Sequence, residues 1–365
     1  MFRMLNLAWW LVLSLSVPAC SLELNQSFAT NSPTANAQSA GATSDIANVP
    51  VTWSDLHLTG KLIYPSSVTN GNQVTATIQM LDLVTGQLST VFRVSDAWVY
   101  YLSVSPDAKW LLMSYAPPAQ GGSASNRALY IMPFDASNPP KLLFTPPTPD
   151  DHYTQIEWST DGRYIYFVHY NHAAAGGQPN EVYEIFRMTY PNGTPEKIVD
   201  RAFWPRLSSD ANKLAYVSLD PASGTNELFF ANADGSNPQK VTLSGAYVPD
   251  IIDAPLFLPG GGSLLFSAPS PGQSYQPGWV DRFMGVQVAK AHSIPSDWWS
   301  VPMAGGVPTR LTNIQAVNLF ASLSPDQKHI VSLNGQGLFV MNLDGSSLTQ
   351  LISDPSAHGT ASWIP

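Results

Sequence analysis

The sequence predicts an all-β chain, a six-bladed β-propeller of four-stranded blades. Three observations predict it. A strand–turn–strand motif recurs about every 50 residues, each copy is followed by a second strand–turn–strand hairpin, and the two chain ends carry complementary parts of one further copy. A period near 50 with four short strands per unit is the repeat signature of a propeller. Composition agrees: 31 prolines and 25 glycines demand many turns and few long helices. With 44% hydrophobic, 11% aromatic and only 12% charged residues, the chain is not built as a disordered polymer. Acidic residues outnumber basic ones, 26 to 17, which argues against nucleic acid as a partner.

The first residues, MFRMLNLAWWLVLSLSVPAC, combine Arg3 with an apolar stretch from Leu5 to Val17 that is short for a bilayer span. This reads as an export signal over residues 1–19. Cys20 is the only cysteine, which excludes a disulfide framework and Cys-based zinc clusters. Val17-Pro18-Ala19-Cys20 resembles the lipobox of bacterial lipoproteins, and the resemblance implies that Cys20 carries lipid and that the chain meets the membrane through that anchor alone. The alternative is a secreted chain cut after Ala19 or at Ala35-Asn36-Ala37. Residues 21–49 are rich in Ser, Ala, Thr, Asn and Gln without Lys or Arg. Such a segment buries too little apolar surface to offset its ordering entropy, so residues 20–55 are expected to be a flexible tether.

The globular part is expected over 56–365. Its turn-centred copies are YYLSVSPDAKWLLMSY, TQIEWSTDGRYIYFVHY, FWPRLSSDANKLAYVSL, APLFLPGGGSLLFSAP and LFASLSPDQKHIVSLN. The hairpins that follow run LYIMPFDASNPPKLLF, EIFRMTYPNGTPEKIV, LFFANADGSNPQKVTL, WWSVPMAGGVPTRLT and LFVMNLDGSSLTQLI. The chain ends on TASWIP, which matches a first strand, while GKLIYPSS from Gly60 matches a second strand. Joining about 359–363 to the N-terminal stretch 60–94 makes the sixth blade and removes an open sheet edge.

The S-P-D-x-K and D-G-R turns followed by an apolar strand resemble the WD40-like (PD40) repeats of the TolB family. Related rings occur in tricorn-type proteases and beside the catalytic domain of prolyl oligopeptidase-type peptidases. The resemblance implies a periplasmic interaction module; a propeller by itself hosts many activities. No G-x-S-x-G elbow, H-E-x-x-H or phosphate loop is present, and no cofactor is expected.

Asp107, Asp161, Asp210 and Asp326 recur in the turns, where an aspartate bonds nearby backbone N–H groups, as do Asp234 and Asp344 in the hairpins. The column before the turn (Val104, Trp158, Leu207, Phe257, Leu323, Trp363) reads as apolar wedges between blades. Beside it, Glu157 and Arg206 stand at matching places and suggest a polar pair near the channel, either an inter-blade link or a ligand anchor.

Within a blade, the loop between strands two and three emerges on the same face as the connection to the next blade. That face collects Trp98, Asp151, His152, Tyr153, His169, His172, Trp204, Tyr247, Asp250, Trp279, Asp281 and His358 as candidate binding residues. Residues 269–297 form its longest insertion. Asp150, His152, His169 and His172 are weak candidates for a divalent metal. The expected function is a non-catalytic, envelope-tethered, monomeric ring that binds a protein or envelope polymer (a peptide, a glycan or a peptidoglycan-associated component) on its extracytoplasmic side. The alternative is a metal-dependent polysaccharide lyase or glycosidase. Oligogalacturonate lyase, similar in fold, uses a histidine-held metal. A third reading is a sensor ectodomain working with a separate partner.

Overall fold

The computed structural model describes residues 51–71, 73–118, 127–148, 151–171, 182–220, 225–273 and 294–365. Cys20, Asp150, His172, Trp279 and Asp281 lie outside the described residues. After a one-turn helix at Trp53–Leu56, the described residues form 24 strands in six antiparallel four-stranded sheets. Blade 1 holds β1 (Lys61–Asn70), β2 (Gln73–Asp82) and β3 (Leu88–Ser95), with β24 (Ser362–Ile364) as its inner strand. Blade 2 is β4 (Trp98–Val104), β5 (Trp110–Ala116), β6 (Ala128–Pro133) and β7 (Lys141–Phe144). Blade 3 is β8 (His152–Trp158), β9 (Tyr164–Asn171), β10 (Val182–Thr189) and β11 (Glu196–Asp200). Blade 4 is β12 (Ala202–Leu207), β13 (Lys213–Leu219), β14 (Asn226–Asn232) and β15 (Gln239–Lys240). Blade 5 is β16 (Asp253–Phe257), β17 (Ser263–Pro269), β18 (Ser296–Pro302) and β19 (Thr309–Arg310). Blade 6 is β20 (Phe320–Leu323), β21 (His329–Asn334), β22 (Gly337–Asn342) and β23 (Thr349–Ser353). Among the described residues no helix is long and apolar enough to cross a membrane.

The ring closes as the sequence predicts, through Lys61↔Ile364, Leu62↔Trp363 and Ile63↔Ser362. The closing strand is Ser362–Ile364, shifted from the expected 359–363, for a local reason. Gly359 adopts φ 68° against the Tyr100 carbonyl, and the Thr360 hydroxyl donates to Leu102 O of blade 2 (3.2 Å). Those residues therefore bond the next blade instead of the ladder. Gly60 (φ 84°) packs against the Ile364 carbonyl so closely that a Cβ would stand 2.1 Å from the oxygen, so this turn requires glycine.

Apolar side chains on both sheet faces form the inter-blade cores. Ile63, Ile78, Leu102 and Met113 pack blade 1 on blade 2, while Leu62 and Tyr64 share a cluster with Phe320 and Val331 of blade 6. Deleting residues 362–365 removes the three closing pairs and the burial of Ile364. That loss is worth about 3–5 kcal/mol by the cost of emptying a core position. Thermal unfolding of the truncated chain is expected to fall by roughly 10 °C; an unchanged midpoint would show that the closing strand carries no stability.

Candidate functional site

The centre of the ring is filled by one column of inner-strand residues, each three places before the end of the repeat's first strand. In blade order from blade 2 it reads Tyr101, Gln155, Trp204, Ala254, Phe320 and Thr360. Large rings alternate with smaller side chains. Tyr101, Trp204 and Phe320, from alternate blades, meet edge-on or tilted at 5.9, 6.2 and 5.2 Å between centroids. Alternation is the packing solution for a small closed barrel, because six large side chains do not fit one layer. Gln155 (φ 47°), Trp204 (φ 59°) and Ala254 (φ 46°) sit at register shifts of β8, β12 and β16. An extra residue at a bulge re-aims the side chain, and here it accompanies the placing of Trp204 among the central rings. The Gln155 side chain supports the bulge next door by accepting from Trp204 N–H (2.7 Å).

Asp253 lies within this centre, 3% exposed, and accepts a hydrogen bond from the Trp204 indole N–H (3.1 Å). Burial pushes its carboxyl up to about 8, only partly opposed by that hydrogen bond. Tyr101 is pushed up to about 12, chiefly by burial. At neutral pH Asp253 is therefore a neutral acid.

Toward the opposite end of the inner strands, Glu157 and Arg206 do pair, at 3.2 Å. Glu157 also accepts from Leu207 N–H (3.1 Å), and Arg206 reaches the Ala321 carbonyl of blade 6 (3.4 Å). Burial raises the Glu157 carboxyl, with Arg206 opposing. Ser362 and Ser103, at the same place in blades 1 and 2, accept from Val104 N–H (3.4 Å) and Trp158 N–H (3.1 Å). The pair thus belongs to a repeated inter-blade link. The turn aspartates repeat as well: Ser105, Ser159, Ser208 and Ser324 donate to Asp107, Asp161, Asp210 and Asp326 at 2.7, 2.6, 2.6 and 2.6 Å. Each of these carboxylates also accepts a backbone N–H two residues on.

On the loop face, Trp98 stacks on Tyr100 (5.6 Å), Tyr100 meets His358 edge-on (6.5 Å), and the Arg127 guanidinium lies 4.2 Å over the Tyr100 ring. Trp98 and His358 are thus joined through Tyr100 and Arg127, which periodicity alone did not mark. Both ring nitrogens of His358 face carbonyls, Ser356 O at 2.9 Å and Val99 O at 2.7 Å, so the ring is held at the blade 1–blade 2 seam. Tyr247 stacks on Trp299 (4.9 Å) and its hydroxyl donates to the Pro269 carbonyl; Asp250 is exposed.

Other members of the predicted face are interior. Asp151, Tyr153, His169 and Trp204 are 1%, 3%, 5% and 2% exposed, so as surface contacts they are corrected. His169 stands between two carboxylates, with Nε2 3.3 Å from Asp151 and Nδ1 3.3 Å from Glu184. Lys197 continues the chain, 3.1 Å from Glu184 and 2.6 Å from Asp200. Cross-strand pairs put Tyr153 with His169 and His152 with Tyr170. Successive residues face opposite ways, so His152 and His169 lie on opposite sides of blade 3 and share no metal. His152 instead stacks on Tyr170 (5.7 Å). Among the described residues no group of three His, Cys, Asp or Glu converges to hold a metal ion.

A polar cleft of about 290 Å³ opens at the blade 1–blade 6 seam, lined by Ser66, Val68, Asn70, Thr75, Thr77, Gln79, Arg93, Asp354 and Ser356. The Asp354 carboxylate accepts from Ser356 N–H (3.0 Å) and from the Ser66 hydroxyl (3.5 Å). Beside it Tyr64 is fully buried, and burial, with the charge and hydrogen bonding of the neighbouring Asp354, pushes its hydroxyl up from its ordinary value.

No protein-family model and no curated protein matches the sequence. Solved structures do match it. TolB from Acinetobacter baumannii aligns at 14% identity and a TM-score of 0.57, over 84% of this chain and 67% of that one. A putative TolB from Agrobacterium tumefaciens aligns at 16% and 0.57, over 82% and 99%. A chain of a nidogen/laminin complex aligns at 10% and 0.54, over 82% and 97%. At such identities the likeness is one of fold: the protein is a six-bladed β-propeller similar in fold to these TolB structures.

The buried acid gives a signed prediction. A folded-state pKa raised from 3.8 to about 8 contributes stability that is fully present below about pH 4 and is lost as pH rises to about 8. Asp253→Asn keeps the shape and an acceptor for Trp204 but cannot ionise. Between about pH 5 and pH 8 its stability is expected to climb relative to wild type by several kcal/mol at most. Unfolding midpoints across that range check this, and parallel curves would refute it.

Proposed function

We propose that the protein is a non-catalytic propeller, held at the cell envelope through lipid on Cys20 and a flexible tether, that binds a protein or envelope polymer through its loop face. The observation that carries this reading is the filled centre. Tyr101, Trp204 and Phe320 pack together at the axis, and the Trp98–Tyr100–Arg127 cluster and the polar cleft lie where the inter-blade connections emerge. A ring with a rigid scaffold and a decorated rim suits recognition. The TolB-like fold, and a chain of the same fold taken from a complex of nidogen with laminin, support the reading by precedent. The Trp98–Tyr100–Arg127 cluster supplies aromatic and Arg groups, the residue types that dominate binding energy at interfaces.

The test compares the two faces. Immobilised full-length chain is expected to retain a partner from an envelope extract. Trp98→Ala is expected to weaken that retention at least tenfold, by about 1.4 kcal/mol or more. Lys109→Glu, in an exposed turn of the opposite face, should leave it unchanged. Equal loss from both variants, or retention that ignores both, would contradict a loop-face site.

A further inference from the structure

The cleft at the blade 1–blade 6 seam follows from unequal blade heights. Leu62 of blade 1 and Ile330 of blade 6 occupy matching places, opposite Trp363 and Leu323, the equivalent ends of the two inner strands. From that level β21 reaches only Asn334 before the Gly335-Gln336 turn, whereas β1 continues past the matching Ser66 to Asn70. Four further residues rise about 13 Å at the strand repeat. Blade 1 therefore stands above its neighbour, and the wall so exposed is the cleft-lining face. On β1 it carries Ser66, Val68 and Asn70, and on β2 Thr75 and Thr77, paired across as Ser66↔Thr77 and Val68↔Thr75.

Two features of this wall point to a ligand. Arg93, exposed on β3 opposite Thr77, forms no ion pair or hydrogen bond among the described residues, and the Asp354 carboxylate lines the same cleft. The inner edge of β1 is also open. Ser67 N–H points outward to Ser356 O (3.1 Å), strand alternation aims the Thr69 backbone the same way, and no described segment pairs with Thr69 on that side.

Resting on the binding-face reading above, we propose that this step is a docking groove for an extended peptide segment. The segment continues the sheet beyond Ser67, sets an acidic side chain against Arg93 and presents a cationic or amide donor to Asp354. An exposed strand edge supplies main-chain hydrogen bonds, and the flanking side chains supply selectivity. A glycan is the poorer fit, because the lining contains no aromatic ring on which a sugar face could stack.

The experiment uses full-length protein and two fluorescent Ser/Thr hexapeptides, one with a Glu and a Lys, the other with two Lys, plus a neutral hexasaccharide as competitor. Wild type is expected to bind the Glu/Lys peptide at least tenfold more tightly than the Lys/Lys peptide, with no displacement by the sugar. Arg93→Glu, at an exposed position that leaves the core intact, is expected to reverse that order with an unchanged unfolding midpoint. No peptide binding, the same order in both proteins, or displacement by the hexasaccharide would overturn the groove. Should the peptides fail while the envelope partner still depends on Trp98, the groove falls and the wider loop-face reading stands.

Discussion

Three residue pairs between Ser362–Ile364 and Lys61–Ile63 hold the two ends of the chain against each other. Without them blade 1 would lose its inner strand and blade 6 would face water along the Phe320 and Val331 surface that now meets Leu62 and Tyr64. An open sheet edge invites pairing with other chains, and a ring sealed by its own termini removes that edge. The same pairing fixes which loops share a face, because every blade then repeats one orientation about the axis.

Closure also sets the room at the centre. Six inner strands leave space for one layer of side chains, and the chain fills it by alternating rings with smaller groups. The cost is borne by Asp253, a carboxyl that cannot keep its charge beside Trp204 and Tyr101. A ring solid at its axis offers a partner its rim and its steps. One such step stands where the β1–β2 hairpin, the longest among the described residues, rises beside the short β21–β22 turn.

Much of this was legible in the sequence because it depends on spacing. The 50-residue period, the terminal strand match and the Ser–Asp turn chemistry are local or repetitive, and the four turns bond alike. The site was less legible. A bulge at Trp204 turned a residue expected on the loop face into a channel residue, and a bulge leaves no periodic trace. Asp151 and His169 looked like loop decoration, yet Glu184 on the facing strand completes a buried carboxylate–imidazole–carboxylate arrangement that only register reveals. One signal was available and went unused: reading Tyr101, Gln155, Trp204, Ala254, Phe320 and Thr360 as a column displays the large–small alternation directly. The cleft required knowing where each hairpin ends relative to its neighbour.

Native-state amide hydrogen exchange of Lys61–Ile63 and Ser362–Ile364 tests the account at its root. If closure is part of one cooperative ring, the ladder-bonded amides of these segments exchange only through global unfolding, with the same free energy as interior amides of β5 and β9. Exchange there through local opening, several kcal/mol easier than at Leu112 or Phe167, would mean that the ends merely lie side by side and that the ring is held by something else.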